Sequence, residues 1–330
     1  MLNVFVAGGQ GLQRIERGPG DPLPTAAVWL DLIEPSREEE ELVERTLGID
    51  VPTREEMREI EASNRLYEEN GALYLTATIV THLETDAPET QQVTFIVKGS
   101  KLVTNRYVDP LPFRRFIAYA ERHPAICSSP WMLLAGLLEF IINRVADVLE
   151  RVGADLDATT SGVFAPRAKR RGATRDFRAV LQRVAQNGEL ISKARESLVS
   201  LGRMLAFVQQ AALASGGNSS QPSQEVRARF RTVSRDVLAM SDHASFLGTK
   251  VQFILDATLG MVTINQNDIL KIFSVVTVFL LPPTVIASFY GMNFERIPWL
   301  QEEWGPWVAL GLMVASSLMP YLIFKRRGWL

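Results

Sequence analysis

Thiol and imidazole are scarce in this chain. Cys127 is the only cysteine, and His82, His123 and His243 are the only imidazoles among 330 residues. No intrachain disulfide can form, and no C-x-x-C or H-x-x-x-H cluster offers a soft-metal site. A metal would have to be held by oxygen, which points to hard cations such as Mg²⁺. An excess of one charge is lacking too: 35 basic residues stand against 37 acidic ones, a net −2. That balance creates no global basic field, so nucleic acid is not an expected partner. There is no G-x-x-x-x-G-K-[ST] phosphate loop, and nucleotide is not expected either. G-x-S-x-G, HExxH and any His/Cys pair at catalytic spacing are absent, and the pair Asp31 and Glu34 is too common to argue hydrolysis. An enzyme is not expected. The first residues lack a basic start followed by a sustained apolar run, so no signal peptide is expected and the N-terminal bulk stays in the cytoplasm.

What the chain does have is apolar content, 47%, enough to bury a core. Residues 26–32, 73–83, 92–98 and 101–106 are short, rich in Val, Ile, Thr and Tyr, and bounded by Gly or Pro, which predicts strands. Between the first two, Pro35-Ser36 opens REEEELVERTLG, a helix with Ser36 as N-cap and acids in its first turn. An α/β domain over 1–128 follows. Residues 129–268 switch to three- and four-residue apolar spacing: a long helix from 129, a second over 176–214, a Gly/Ser-rich turn, and a third from about Glu225. The third meets no proline until Pro282 and so is free to run on into the apolar C-terminus. The basic cluster Arg167, Lys169, Arg170, Arg171 and Arg175 reads either as a solvated interhelical loop or as a phosphate or lipid-headgroup site.

Residues 272–290 and 305–324 carry no charge, and each reaches the about 20 residues needed to cross the hydrocarbon core. Two transmembrane helices are predicted, at 269–294 and 305–324, joined by an external loop at 295–304 and followed by a basic tail at 325–330. Lys271 precedes the first, and Lys325, Arg326 and Arg327 follow the second. The connecting loop is acidic, with Glu295, Glu302 and Glu303 against Arg296. The positive-inside rule then places both termini in the cytoplasm, with Trp299, Trp304, Trp307 and Trp329 as interfacial anchors in membrane lipid.

Read in heptad steps, positions 267, 270, 274, 277, 281, 284 and 288 are Asn, Leu, Ser, Thr, Leu, Thr and Ser. This seam on one helix face is more polar than its Val, Ile and Phe flanks. It serves either helix packing, through small hydroxyls, or a water-filled path. A single polar span lines a path only in a ring of identical helices, so the second use demands a homo-oligomer. Pro282-Pro283 loosens the span without choosing between the two. Mg²⁺ sheds its waters, held at about 2.0–2.1 Å, reluctantly, and a neutral amide suits the hydrated ion better than a carboxylate that would hold it too long. Asn293, at the outer end of the first span, supplies such an amide, and Gly291 allows an unusual backbone angle or a close helix approach.

Tyr290-Gly291-Met292-Asn293-Phe294 at the end of the first of two C-terminal spans resembles the CorA family of magnesium channels and transporters. The setting strengthens the likeness: NQNDILKIFSVVTVFLLPPTVIASFYGMNFERIP, a short acidic loop, a second span and a terminal KRRGWL. The wording FLLPPT and PYLIFKRRGWL is most similar to enterobacterial CorA proteins, and WLDLIEPSREEEELVERTLGI extends the resemblance toward the N-terminus.

The resemblance implies an α+β membrane protein: a homopentameric funnel with a cytoplasmic α/β/α domain and a stalk helix continuous with the first span. It further implies that Gly291, Met292 and Asn293 form the external ion-recognition ring, with Asn293 meeting hydrated Mg²⁺. The pore would narrow at Leu270, Phe273 and Leu281, with Asn267 at the cytoplasmic mouth, Thr284 in mid-pore, and Ser274, Thr277 and Ser288 along the lining. Lys325, Arg326 and Arg327 would form a basic ring, and cytoplasmic Mg²⁺ would act as a regulatory ligand at carboxylates that the sequence does not place. Where the family often has Met-Pro-Glu-Leu, this chain has Ile297-Pro298-Trp299-Leu300, leaving Glu302 and Glu303 to stand in for the acid. The expected activity is inner-membrane Mg²⁺ uptake driven by the membrane potential. The alternatives are Co²⁺, Ni²⁺ or Zn²⁺ transport within the superfamily, or a membrane-anchored helical assembly protein.

Overall fold

A computed structural model of the chain describes residues 1–16, 18, 21–59, 61–81, 88–164, 176–214, 222–292, 298 and 302–327. The basic cluster Arg167, Lys169, Arg170, Arg171 and Arg175, together with Asn293, Glu295, Trp299 and Trp329, lies outside the described residues. Two compact units emerge, Met1–Leu255 and Asp256–Leu330.

The first unit is built on a seven-stranded mixed sheet in the order β2-β1-β3-β7-β6-β5-β4. Its strands are β1 (Leu2–Gly8), β2 (Gly11–Ile15), β3 (Ala27–Ile33), β4 (Leu66–Glu69), β5 (Ala72–Thr81), β6 (Glu89–Lys98) and β7 (Lys101–Arg106). Every pairing is antiparallel except β3 with β7. The predicted strands are β3, β5, β6 and β7. Two hairpin elements escaped the sequence reading. Asn70 (φ 51°) and Gly71 (φ 70°) make the two-residue turn between β4 and β5, and Asn-Gly between alternating residues is the signal that would have revealed it. At the N-terminus, Gly11 (φ 143°) lets β2 pass so close that a Cβ would stand 2.4 Å from the Ala120 carbonyl oxygen.

Alternation along the strands sends side chains to opposite faces. Val4, Leu30, Leu32, Ile96 and Val103 pack with Val43 of α1 (Arg37–Leu47) on one face. Phe5, Trp29, Phe95, Val97 and Leu102 pack on the other with Phe113 and Phe116 of α3 (Leu111–Ala120) and with the long helices. The result is the expected α/β/α layering; a one-turn α2 (Ala62–Arg65) precedes β4. In α1 the N-cap is the predicted Ser36. Its hydroxyl accepts the Glu39 N–H at 3.4 Å, and the Glu39 carboxylate accepts the Ser36 N–H at 3.0 Å, a reciprocal capping box. Ser36→Ala is expected to cost about 1 kcal/mol, read as a fall of about 2–4 °C in the thermal midpoint of the first unit.

Three long helices complete the unit: α4 (Pro130–Phe164), α5 (Phe177–Ala214) and the start of α6 (Gln224–Tyr290). Val226, Phe230, Val233, Val237, Ala244, Leu247 and Ile254 of α6 are buried at the three- and four-residue steps of a coiled-coil seam. Arg229 clamps Glu139 of α4 through two bonds of 2.6 Å, and Lys250 reaches Asp157 at 2.6 Å. The same helix leaves Leu238, Phe246 and Phe253 exposed.

An ion pair lies at the centre of the sheet. Arg106 donates twice to Asp31, at 2.9 Å each, and the two side chains are 1% and 0% exposed. Thr104 donates to Asp31 at 2.6 Å and in turn accepts from the Trp29 indole at 3.0 Å. Burial lowers the Arg106 proton affinity, but the facing Asp31 and Asp109 outweigh it and the guanidinium is held above its ordinary range. Asp31 is thus a structural carboxylate, which removes what little the Asp31 and Glu34 pair offered to a hydrolytic reading.

Candidate functional site

The second unit holds the C-terminal part of α6 and α7 (Gly305–Arg326). Both helices contain segments long and apolar enough to cross a membrane. α7 opens on Trp304, with a proline in its first turn where the missing N–H costs nothing. Trp304 and Trp307 are exposed there, as interfacial anchors would be. Its far end carries Lys325, Arg326 and Arg327, all exposed, and they complement the carbonyl end of the helix dipole. The Lys325 ammonium sits 5.8 Å from the Tyr321 ring centroid.

Along α6 beyond Leu270 the half-covered positions are 275, 279, 282, 283, 286 and 290. Their spacing defines one face, and α7 covers it: the Phe279 and Tyr321 rings stand 6.3 Å apart, and Phe279 and Pro283 share a groove with Met313, Val314 and Leu318. The seam lies on the opposite side. At about 100° per residue, positions 270, 274, 277, 281, 284 and 288 centre roughly half a turn away from the α7-covered face. Asn267, Leu270, Phe273, Ser274, Thr277, Leu281, Thr284 and Ser288 are all exposed in the single chain. Thr277, Leu281, Thr284, Ser288 and Met292 share a shallow, open surface hollow with the apolar Val276, Leu280, Val285 and Phe289. α7 is therefore not what the seam packs against.

Two hydroxyls of the seam are bonded within their own helix. Thr277 donates to the Phe273 carbonyl at 2.8 Å, and Thr284 to that of Leu280 at 2.6 Å. A hydroxyl that donates in this way still has lone pairs with which to accept. Leu270, Phe273 and Leu281 add apolar bulk along this side at 61%, 66% and 56% exposure. Just past the C-terminal end of α6, Gly291 bonds its N–H to the Ala287 carbonyl at 2.9 Å and closes the last turn. It is not among the glycines with positive φ. The unusual backbone angle allowed to it is thus not used, and a Cβ there would meet only the Ala287 and Ser288 carbonyl oxygens of the preceding turn, at 3.2 and 3.6 Å. Met292 follows, 46% exposed. In the loop Glu302 and Glu303 are exposed, and the Glu302 carbonyl accepts the Gly305 N–H that begins α7. Among the described residues no three of His, Cys, Asp and Glu stand together as a metal cage.

Residues 25–326 match the family model described as CorA-like Mg²⁺ transporter protein. The chain belongs to the CorA family. That family comprises transporters rather than enzymes. Relatives named magnesium transport protein CorA include those of Yersinia pseudotuberculosis, 35% identical over 332 residues, and Pasteurella multocida, 34% identical over 330. The Escherichia coli protein of the same name is 33% identical over 331 residues. Each comparison spans 100% of both chains. Among solved structures, the complete CorA magnesium transporter of Methanocaldococcus jannaschii superposes with a TM-score of 0.79 at 20% identity, covering 100% of this chain and 99% of that one. The full-length CmaX protein follows at 0.68 and 15%, covering 99% and 97%. At these identities the structures speak to the CorA fold alone.

Proposed function

We propose that the chain carries Mg²⁺ across a bacterial inner membrane as a homopentameric pore, with both termini in the cytoplasm and the acidic loop outside. The observation that carries this reading is the hydroxyl-bearing seam on the face of α6 opposite α7, exposed along its whole length in one chain. In lipid such a face needs a partner, and a ring of identical helices around water supplies one. The exposed Leu238, Phe246 and Phe253 on the same helix favour association of copies as well. Hydrated Mg²⁺ is recognised at a ring of Gly291, Met292 and Asn293 and concentrated beforehand by Glu295, Glu302 and Glu303. A divalent ion entering against 100 mV, interior negative, gains about 4.6 kcal/mol, twice the per-charge value, so no nucleotide is required. Cytoplasmic Mg²⁺ closes the pore by settling the stalk helices so that Leu270 and Phe273 narrow the path.

The test is influx into proteoliposomes, with Mg²⁺, Co²⁺, Ni²⁺ and Zn²⁺ supplied in turn. Mg²⁺ uptake that follows an imposed potential is expected. Zn²⁺ uptake alone would instead place the chain with the zinc carriers of the superfamily, and no flux from an intact oligomer would leave an assembly protein. Leu270→Gly is expected to weaken inhibition by internal Mg²⁺, raising flux at inhibitory Mg²⁺ by about tenfold, equivalent to about 1.4 kcal/mol of lost closure. Unchanged inhibition would remove Leu270 from the gate.

A further inference from the structure

Pro283 leaves a mark on α6 that falls on the side away from the seam. Proline has no N–H, so the carbonyl four residues earlier, that of Phe279, loses its intrahelical donor. Inside a bilayer no water reaches that oxygen, and another donor must be found. The Ser317 hydroxyl of α7 lies 3.2 Å from the Phe279 carbonyl oxygen. The contact crosses between two helices at the residue the proline deprives. Nearby hydroxyls behave differently: Ser316 donates to the Met313 carbonyl of its own helix at 2.8 Å, as Thr277 and Thr284 do within α6. Around the bond the groove is walled by Pro283, Met313, Val314, Leu318 and Tyr321, and the Phe279 and Tyr321 rings meet beside it.

We propose that Ser317 is a positioning residue for conduction: it takes up the carbonyl freed by Pro283 and pins the pore helix to α7 at its proline break. The bond holds the back of α6 between Thr277 and Leu281 on one side and Thr284 and Ser288 on the other. It thereby sets how far those seam residues stand from the axis they share with other copies. The inference rests on the reading of the seam as an ion path. It assigns to α7 a part in that path beyond filling lipid-facing space.

The test is a double-mutant cycle in the full-length protein, read as the initial rate of Mg²⁺ influx into proteoliposomes. Ser317→Ala is expected to lower influx by about threefold or more, the worth of one average interhelical hydrogen bond. Ser317→Thr keeps the donor and is expected to stay near wild type. Pro283→Ala restores a backbone N–H to the Phe279 carbonyl, so in that background the effect of Ser317→Ala shrinks to near unity. An unchanged rate in Ser317→Ala, or an equal loss in both backgrounds, would overturn the proposal. Should Ser317→Ala fail to assemble, recovery of the oligomer in the double variant supports the bond and its non-recovery sinks it. Wild-type protein that passes no Mg²⁺ would overturn the ion-path reading and conduction with it; the cycle scored by oligomer melting temperature then decides the bond by itself.

Discussion

Asn293→Ala is expected to cut Mg²⁺ influx into proteoliposomes at least about tenfold, with the oligomer intact. A net hydrogen bond is worth about 0.5–1.5 kcal/mol, and about 1.4 kcal/mol is a factor of ten. In a ring of identical helices the substitution removes one amide from every copy, so a tenfold loss is the lower end of what recognition by that ring implies. Asn293→Asp sharpens the point. A ring of carboxylates holds a divalent ion more tightly, so the variant should bind external Mg²⁺ at lower concentration yet pass it more slowly, because conduction needs binding weak enough to reverse. Competition between Mg²⁺ and a poorly permeant divalent ion would separate the two effects. Alanine at 293 with wild-type flux would show that the ion is recognised elsewhere, and the seam would then have to serve without an amide at its entrance.

Asp31→Ala is expected to be the most destabilising single change in the first unit, by about 3–5 kcal/mol, because it strands the Arg106 guanidinium where only 1% of it is exposed. In a unit of this size the thermal midpoint should fall by about 10 °C. The loss belongs to the unpaired charge rather than to the pair. Replacing both partners together, Asp31→Leu with Arg106→Met, should therefore cost less than Asp31→Ala does, since a buried ion pair is often near neutral against an apolar substitute. The measurement is thermal unfolding of the purified protein by circular dichroism. A double variant no better than the single would mean that the further bonds of Arg106 to Val108 and Asp109, rather than its charge, govern the site.

Local features of the fold were legible in the sequence because they depend on short-range geometry. Ser36 followed by Glu39 spells a capping box, three- and four-residue apolar spacing spells helices over 129–164 and 176–214, and alternation between glycines and prolines spells β3, β5, β6 and β7. The N-terminal hairpin of β1 and β2 is not among the predicted strands, although the glycines of Gly8-Gly9-Gln10-Gly11 mark its turn. β4 was passed over although Asn70-Gly71 announces its turn. Gly291 shows the limit of a composition signal: glycine permits a left-handed angle or a close approach, and only the backbone shows that its φ is not positive where α6 ends.

By itself the sequence determined the two apolar spans, the polar seam at heptad spacing and the Gly-Met-Asn ending, since composition and period are written along one dimension. It could not say which side of α6 is covered. That was decided by the tertiary structure, where α7 lies against Phe279 and Pro283 and leaves Thr277, Thr284 and Ser288 turned away. It likewise could not pair Asp31 with Arg106, which the parallel register of β3 and β7 brings together across 75 residues of chain. The physical reason is common to both: burial and partnership belong to contacts between distant segments, and a linear pattern fixes a helix's period but not the neighbour its faces meet.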